Sequence, residues 1–598
     1  MPDRSPSPPR DDATATRLVQ VAMGRQPADL VVRGGILANV YTGELLEGWG
    51  VAVAGSRVAL VGPEAESCIG PDTTIIEARG QVIAPGFVDG HTHLDYIHRL
   101  DRYLEFAIPT GLTAFVTETP ALCNVGGFPA VAAFLAYLPL LPITAFATAP
   151  TIAYLTSDRG DGQPTIALEE MARLLEEPAV LGLGEIYWPM VLEGRTDLGA
   201  LIAKAEALGK CVEGHTAGAR GRKLAAQVAA GVSSCHEPIT AEEVRARLRL
   251  GLYTMIRDGS IRRDIAALDG ALGGIDPRRL MLASDTVWGH HLVKRGYLDE
   301  SARQAVKLGL SPMQALRAIT LTPAEHFGIE GRLGGLAPGR QADLALLPAL
   351  AEFRPSLVVA RGRVVARDGR TTVPILPPAF PPGCLPNPRT AHPLDLEDLR
   401  IPAPAGRDRV RVRVIHLSAE IVTHAEIRDL AVRNGALPAD AAADLLKVVA
   451  MDRHGMGRTA RGFVAGFGLS RGAVASSVTF DIANLIVVGG NDPDMLLAFH
   501  RMLALGGGMV VAADGKIRAE LALPLGGATS EQPLHALAAE IVAIERALHD
   551  LGCAHEKPFL AVQILTFTAI PALRIRERGL WDVRRSCLVP LILDEGEA

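Results

Sequence analysis

Over residues 84–330, short apolar runs alternate with helix-type segments, and this alternation constrains the 598-residue chain more than any other feature. LTAFVTE, ITAFATAP, VLGLGEIYW, CVEGHT, GVSSCHE, YTMIRDG and LMLASDT read as strands. IALEEMARLLEE and SARQAVKLGLSPMQALRAIT are among the helical stretches between them. Repeated β-α units of this total length are what an eight-stranded parallel barrel requires, so the expected fold class is α/β with a (β/α)8 barrel. In such a barrel the reactive side chains project from the C-terminal ends of different strands, which directs attention to the residue closing each run.

The first run ends in PGFVDGHTHLD, where His91 and His93 are spaced i, i+2. On an extended strand that spacing places both imidazoles on one face, where they could share a metal ion. Taken alone, such a pair is more often surface or satisfied core. Later runs end on Glu185 (GLGEIYW), His215 (EGHT), His236 (SSCHE) and Asp285 (LASDT). Each has a bland structural reading by itself. Four imidazoles and two carboxylates converging on one barrel mouth suit two divalent first-row metal ions, because imidazole favours such ions and a carboxylate can bridge them. His98, His326 and His416 lack that context and are expected at the surface or on helices. His290 and His291 follow Asp285 closely enough to reach a pocket rim.

The segments flanking the barrel share a β character. From Ala28 the chain runs through short strands, with turns expected at Asn39, Thr42-Gly43 and Gly55-Ser56. Ala28-Asp29-Leu30-Val31-Val32 is echoed by Ala342-Asp343-Leu344-Ala345-Leu346, and VVARGRVVARDG resembles VVRGGILANVYTG. Short Val/Gly strands look alike anywhere, but the shared Ala-Asp-Leu start favours one composite β-sandwich built from 15–83 and 331–372, closed around the barrel. Residues 1–14 read as a disordered polar tail, and 373–393 as a Pro-rich linker. Residues 394–598 read as a C-terminal α+β domain. Its Gly489-Gly490-Asn491-Asp492 looks like a strand-to-helix turn, since the Lys-Ser/Thr of a phosphate loop is missing.

Length and composition narrow the partners. The chain is too long for a single hydrophobic core. A net charge of −6 leaves no basic footprint for nucleic acid or an anionic membrane, so a small-molecule partner is expected. Seven scattered cysteines without a Cys-x-x-Cys suggest neither a disulfide framework nor a zinc knuckle. With no signal-type start and no uninterrupted apolar run of about 18 residues, the expectation is a cytoplasmic protein with no membrane partner. Assembly as a homo-oligomer is also expected.

From Ala28 to Leu593 the chain resembles the amidohydrolase superfamily and, within it, the bacterial adenine deaminase family. The resemblance is carried by PGFVDGHTHLD, EGHTAG, AAGVSSCHEPITAEEVRARLRLGLYTMIRDGS, TLTPAEHFGI, LGGLAPGRQADLALL, FVAGFGLSRGAVASSV and GNDPDM. It implies hydrolytic deamination of adenine to hypoxanthine and ammonia by a metal-activated hydroxide, the metal lowering the pKa of water from about 16 toward neutrality. The implied cofactors are two divalent ions, manganese first, with iron or zinc as alternatives. His91 and His93 would bind the more buried ion, His215 and His236 the other, with Glu185 bridging. Asp285 would ligate and shuttle protons, so Asp285 and Glu185 are the implied catalytic residues. Arg257 and Ser260 would either shape the site or brace the loop of the seventh strand.

Three departures from the family pattern fall near the expected substrate. Glu118-Thr119-Pro120-Ala121 replaces Asp-Pro-His-Glu, leaving Glu118 as the acid. Phe480-Asp481-Ile482-Ala483-Asn484 replaces His-Asp-Ser-His-Asn, leaving Asp481. Ser284-Asp285-Thr286 replaces Asp-Asp-Arg. Glu118, Arg257, Ser260 and Asp481 are thus the expected substrate-binding residues. Two alternatives remain open: a related binuclear hydrolase acting on another cyclic amidine or amide, and a paralogue without turnover.

Overall fold

A computed structural model describes residues 12–156, 165–419, 421–480, 484–568, 570 and 572–593. Eight short strands form its centre: β1 (Phe87–Thr92), β2 (Leu112–Thr117), β3 (Thr144–Ala149), β4 (Val180–Tyr187), β5 (Cys211–His215), β6 (Ser234–Cys235), β7 (Tyr253–Arg257) and β8 (Leu280–Ala283). All are buried along nearly their whole length, as strands must be when helices cover one face and barrel side chains fill the other. Strands β1 to β5 pair in parallel, as do β6 to β8. The Ser233 N–H donates to the Val212 carbonyl (2.9 Å) where β5 meets β6. The ring closes where Asp285 N–H donates to His91 (3.0 Å) and His93 N–H donates to Asp285 (2.7 Å). The chain therefore folds as a (β/α)8-type barrel whose strand ends share one mouth.

The stretch Pro120–Leu140 is, by length and average composition, apolar enough to cross a membrane, although Asn124 interrupts it. Here it is the helix after β2, broken at Gly127 (φ 63°) ahead of Pro129. Leu122, Val131, Phe134 and Leu135 bury against the barrel.

The flanking strands form two sheets. One orders 57–62, 50–54, 30–33 and 74–77; the other orders 370–371, 363–367, 357–360, 344–347, 82–85, 36–39 and 44–47. Leu344–Leu347 pairs antiparallel with Val82–Pro85, so early and late chain share a sheet. Leu30, Val32, Val51 and Val53 from the first sheet pack on Leu37, Ile83, Leu344 and Leu346 from the second. Residues 1–11 of the expected tail lie outside the described residues. Residues 12–14, also assigned to the tail, instead begin a helix, Asp12–Ala22, which buries Leu18 and Val21.

After residue 393 comes an eight-stranded sheet ordered 422–431, 409–419, 459–465, 446–451, 485–489, 473–476, 508–513 and 516–522. The helix Asp492–Ala504 begins at Asn491, whose side chain accepts the Asp494 N–H. Met495, Phe499 and Met502 of that helix cover one face of the sheet. The other face shares its core with Leu537, Ile541 and Phe559, and with Tyr96, Ile97 and Trp288 from the loops above β1 and β8. The C-terminal segment thus roofs the barrel mouth.

Candidate metal centre

Chain topology brings all six strand-end residues to that mouth. Glu185, near the end of β4, stands at their centre. Its Oε1 lies 3.0 Å from His91 Nε2 and 3.3 Å from both His93 Nε2 and His236 Nε2, and its Oε2 lies 3.3 Å from His215 Nδ1. Asp285 Oδ1 is 3.8 Å from His91 Nε2 and 3.6 Å from His93 Nε2. Two donor sets result, one of His91, His93, Glu185 and Asp285 and one of Glu185, His215 and His236, each with its ligand atoms within 4.8 Å of one another. Glu185 belongs to both.

The donor chemistry fits a divalent metal. His91 Nε2 is buried with no hydrogen-bond partner, although a Glu185 oxygen lies 3.0 Å away. That close approach lacks hydrogen-bond alignment, and a buried polar atom left unpaired costs about 1–3 kcal/mol. A cation accepting that lone pair removes the cost. Imidazole and carboxylate together select first-row ions over the oxygen-only shells of calcium or magnesium.

Electrostatics keep the acids charged. Burial alone would push the Glu185 carboxyl up, but His236, His215, His91 and His93 outweigh it and hold it well below the usual range. Burial is likewise outweighed at Asp285 by His91, Arg257 and His93, and its carboxyl stays low. Arg257 Nη1 donates to Asp285 Oδ2 (3.3 Å), while its Nε and Nη2 donate to Asp264 (2.9 and 2.7 Å). Asp285 itself adopts φ 57°, a left-handed conformation uncommon for a non-glycine residue and concentrated at functional sites. The two backbone bonds to β1 hold it there.

A cavity of about 1040 Å3 opens above these groups. His93, Glu185, His215, His236, Asp285 and Arg257 form its floor, and Tyr96, Phe480 and Phe567 contribute aromatic walls. Phe480 and Phe567 have ring centroids 5.5 Å apart, and Tyr96 lies 6.4 Å from Phe480.

Not every expected residue reaches this cavity. Arg257 lines it, but Glu118 does not: its Oε1 lies behind His91, 3.9 Å from Nδ1. Burial, reinforced by the charge of Glu185, pushes the Glu118 carboxyl up to about 7. Ser260 also stands off the cavity. Its hydroxyl accepts the Trp288 N–H (2.8 Å) and lies 2.7 Å from His291 Nδ1, so it braces the loops after β7 and β8. Asp481 lies outside the described residues. His290 and His291 do not line the cavity. His98 is buried rather than superficial, its Nε2 accepting the Gly289 N–H (3.0 Å), while His326 lies on a helix as expected and is buried there with Nε2 2.7 Å from Glu213. The sequence reading missed Glu237, which lines the cavity with Oε1 2.5 Å from His215 Nε2 while Oε2 accepts the Ala217 N–H. The available signal was its place directly after His236, at the same strand end.

The amidohydrolase family model matches residues 82–365, and the model of the adenine deaminase C-terminal domain matches residues 420–587. An adenine deaminase from Moorella thermoacetica is 39% identical over 97% of this chain and 98% of its own length. Those from Rubrobacter xylanophilus and Ruegeria pomeroyi are 37% and 36% identical, over 95% of this chain and 95% and 96% of theirs. With both halves of the chain matched and the strand-end donors gathered around one carboxylate, the chain belongs to the adenine deaminase family of amidohydrolases.

Proposed function

We propose that this chain hydrolyses the exocyclic amine of adenine, consuming water and yielding hypoxanthine and ammonia, on two divalent metal ions. The observation carrying this reading is the position of Glu185, whose carboxylate lies within 3.3 Å of a ring nitrogen from each of four histidines. His91 and His93 with Asp285 would hold one ion and His215 with His236 the other, with Glu185 shared. Manganese suits this set, as do iron and zinc. When bound, such ions supply Lewis-acid activation of water near neutral pH.

The chain's own groups account for the remaining steps. Tyr96, Phe480 and Phe567 offer aromatic faces to a planar ring. Asp285, ionised and steadied by Arg257, takes a proton from the attacking water as a C–O bond forms at the amine-bearing carbon. It then delivers that proton to the amine as the C–N bond breaks. Glu237 fixes His215 and thereby its approach to Glu185.

A second reading, hydrolysis of another cyclic amidine or amide, is favoured by Phe480, an apolar wall where the family pattern carries histidine. Quantifying metal in the purified chain, following ammonia release from adenine, other purines and pterins, and following ring opening of cyclic amides separates the two. Ammonia from adenine supports the first, and turnover confined to other rings supports the second. We further assign 15–83 with 331–372, 84–330 and 394–598 as three folding units joined through 373–393. A role in purine salvage in the cytoplasm agrees with seven cysteines that form no disulfide among the described residues, and a homo-oligomer is testable by gel filtration.

A further inference from the structure

Arg453 follows the strand Leu446–Met451 and reaches the wall of the same cavity. It is only 3% exposed, and its Nη1 has no hydrogen-bond partner. Its Nη2 donates to the Gly526 carbonyl. Other buried arginines near the site are compensated. Arg257 faces Asp264 and Asp285, and Arg247 donates to Thr216 and to the sulfur of Cys235. Among the described residues no carboxylate plays that part for Arg453, and burial alone pushes its guanidinium down to about 10. The adjacent Asp452 is committed elsewhere, accepting the N–H groups of His454, Met456 and Arg458. An unpaired buried charge is among the most unfavourable features a fold can keep.

The surroundings are shaped to admit this side chain. Gly526 and Gly527 both adopt positive φ (63° and 65°), and a Cβ on Gly527 would sit 3.2 Å from Arg453 Nη2 and 2.7 Å from Pro388. Their loop is tied to the barrel: Ile97 N–H donates to the Ala528 carbonyl (2.7 Å), and Thr529 and Ser530 pair with Ile97 and His98. Ile97 is held at φ 64°, a genuine outlier for a β-branched residue. The guanidinium is thus fixed relative to the segment leaving His93. Among the described residues seven lysine and arginine side chains, Lys223, Arg584 and Arg585 among them, line the same cavity against five carboxylates, a balance that favours anions there. At about 1040 Å3 the cavity also matches the upper end of the roughly 300–1,000 Å3 typical of ligand pockets, leaving room beyond a bicyclic ring.

We propose that Arg453 is a ligand-binding residue that receives an anionic oxygen carried by the ring compound in this cavity, so that the preferred ligands are purine-type rings bearing an acidic substituent. The inference rests on the cavity being the ring-binding site, not on which ring is deaminated. A carboxylate reaching Arg453 would complete the guanidinium fork with a charge-assisted bond that a neutral ring cannot match.

The test compares the metal-loaded full chain with Arg453→Met and Arg453→Lys by calorimetric titration, using hypoxanthine, 9-carboxymethylhypoxanthine and hypoxanthine-8-carboxylate, which carry no amine to lose, as probes. Thermal midpoints are measured without ligand. Arg453→Met should weaken binding of at least one acid about tenfold to a hundredfold while hypoxanthine shifts less than about twofold, and Arg453→Lys should fall between. Without ligand the methionine variant should melt no lower than the wild type, because it removes an unpaired buried charge. Equal effects on neutral and acidic rings would overturn the proposal. So would a lower melting point or insoluble protein for Arg453→Met, since either makes Arg453 a structural anchor for Gly526. Ammonia release from adenine by the wild type is scored separately, so failure of the deaminase reading is not confused with failure of this one.

Discussion

Replacing Asp285 by asparagine isolates proton transfer from architecture. Asparagine has the same shape and tolerates the left-handed conformation that residue 285 requires, so the turn at φ 57° survives. Arg257 loses its 3.3 Å partner but keeps Asp264 at 2.7 Å, so its charge stays paired. His91, His93 and Glu185 remain as donors to the first ion. What disappears is the carboxylate that can accept and return a proton. General acid–base catalysis contributes about 10²–10⁴-fold, equal to about 3–5 kcal/mol of barrier. Steady-state ammonia release should therefore fall by two to four orders of magnitude in kcat, with bound metal measured on the same sample and a melting temperature close to wild type. A variant that retains metal and turns over within about threefold of wild type would refute the proton-transfer role of Asp285.

Other perturbations probe different layers. Glu237→Gln weakens the contact that orients His215 and should reduce affinity for one of the two ions about tenfold to a hundredfold, measured by metal titration. Gly184→Ala would place a Cβ 2.3 Å from Glu118 Oε2 and 2.7 Å from the Ala149 carbonyl. It should destabilise the chain by about 1–3 kcal/mol in denaturant unfolding and misplace the neighbouring Glu185. Burial raises the Glu545 carboxyl from 4.5 to about 7. Its contribution to stability is complete below about pH 4.5 and lost as pH rises through 7. Glu545→Gln should thus be neutral at pH 4.5 and stabilising by about 1–3 kcal/mol at pH 8 in thermal melts.

The barrel was legible because its strands need apolar side chains on both faces, which turns β1 to β8 into compact apolar runs. The strand-end residues were legible for the same reason: His91, His93, Glu185, His215, His236 and Asp285 each break such a run where it leaves the core. What stayed hidden depends on side-chain direction and on distant chain. Glu118 ends β2 much as Glu185 lies near the end of β4, yet it points behind His91. Ser260 sits in a family-type segment but turns toward Trp288 and His291. His326 lies on a helix, and only the fold brings Glu213 from β5 against it. Arg453 gives no local signal, since its lack of a partner is a property of the cavity wall it enters.

Ammonia release from adenine by the chain, with bound metal counted before and after chelation, tests the central claim most directly. The account predicts equal amounts of ammonia and hypoxanthine from protein holding two ions per chain, loss of both on chelation, and recovery when manganese is restored. Protein that carries two ions per chain and releases no ammonia from adenine would contradict it.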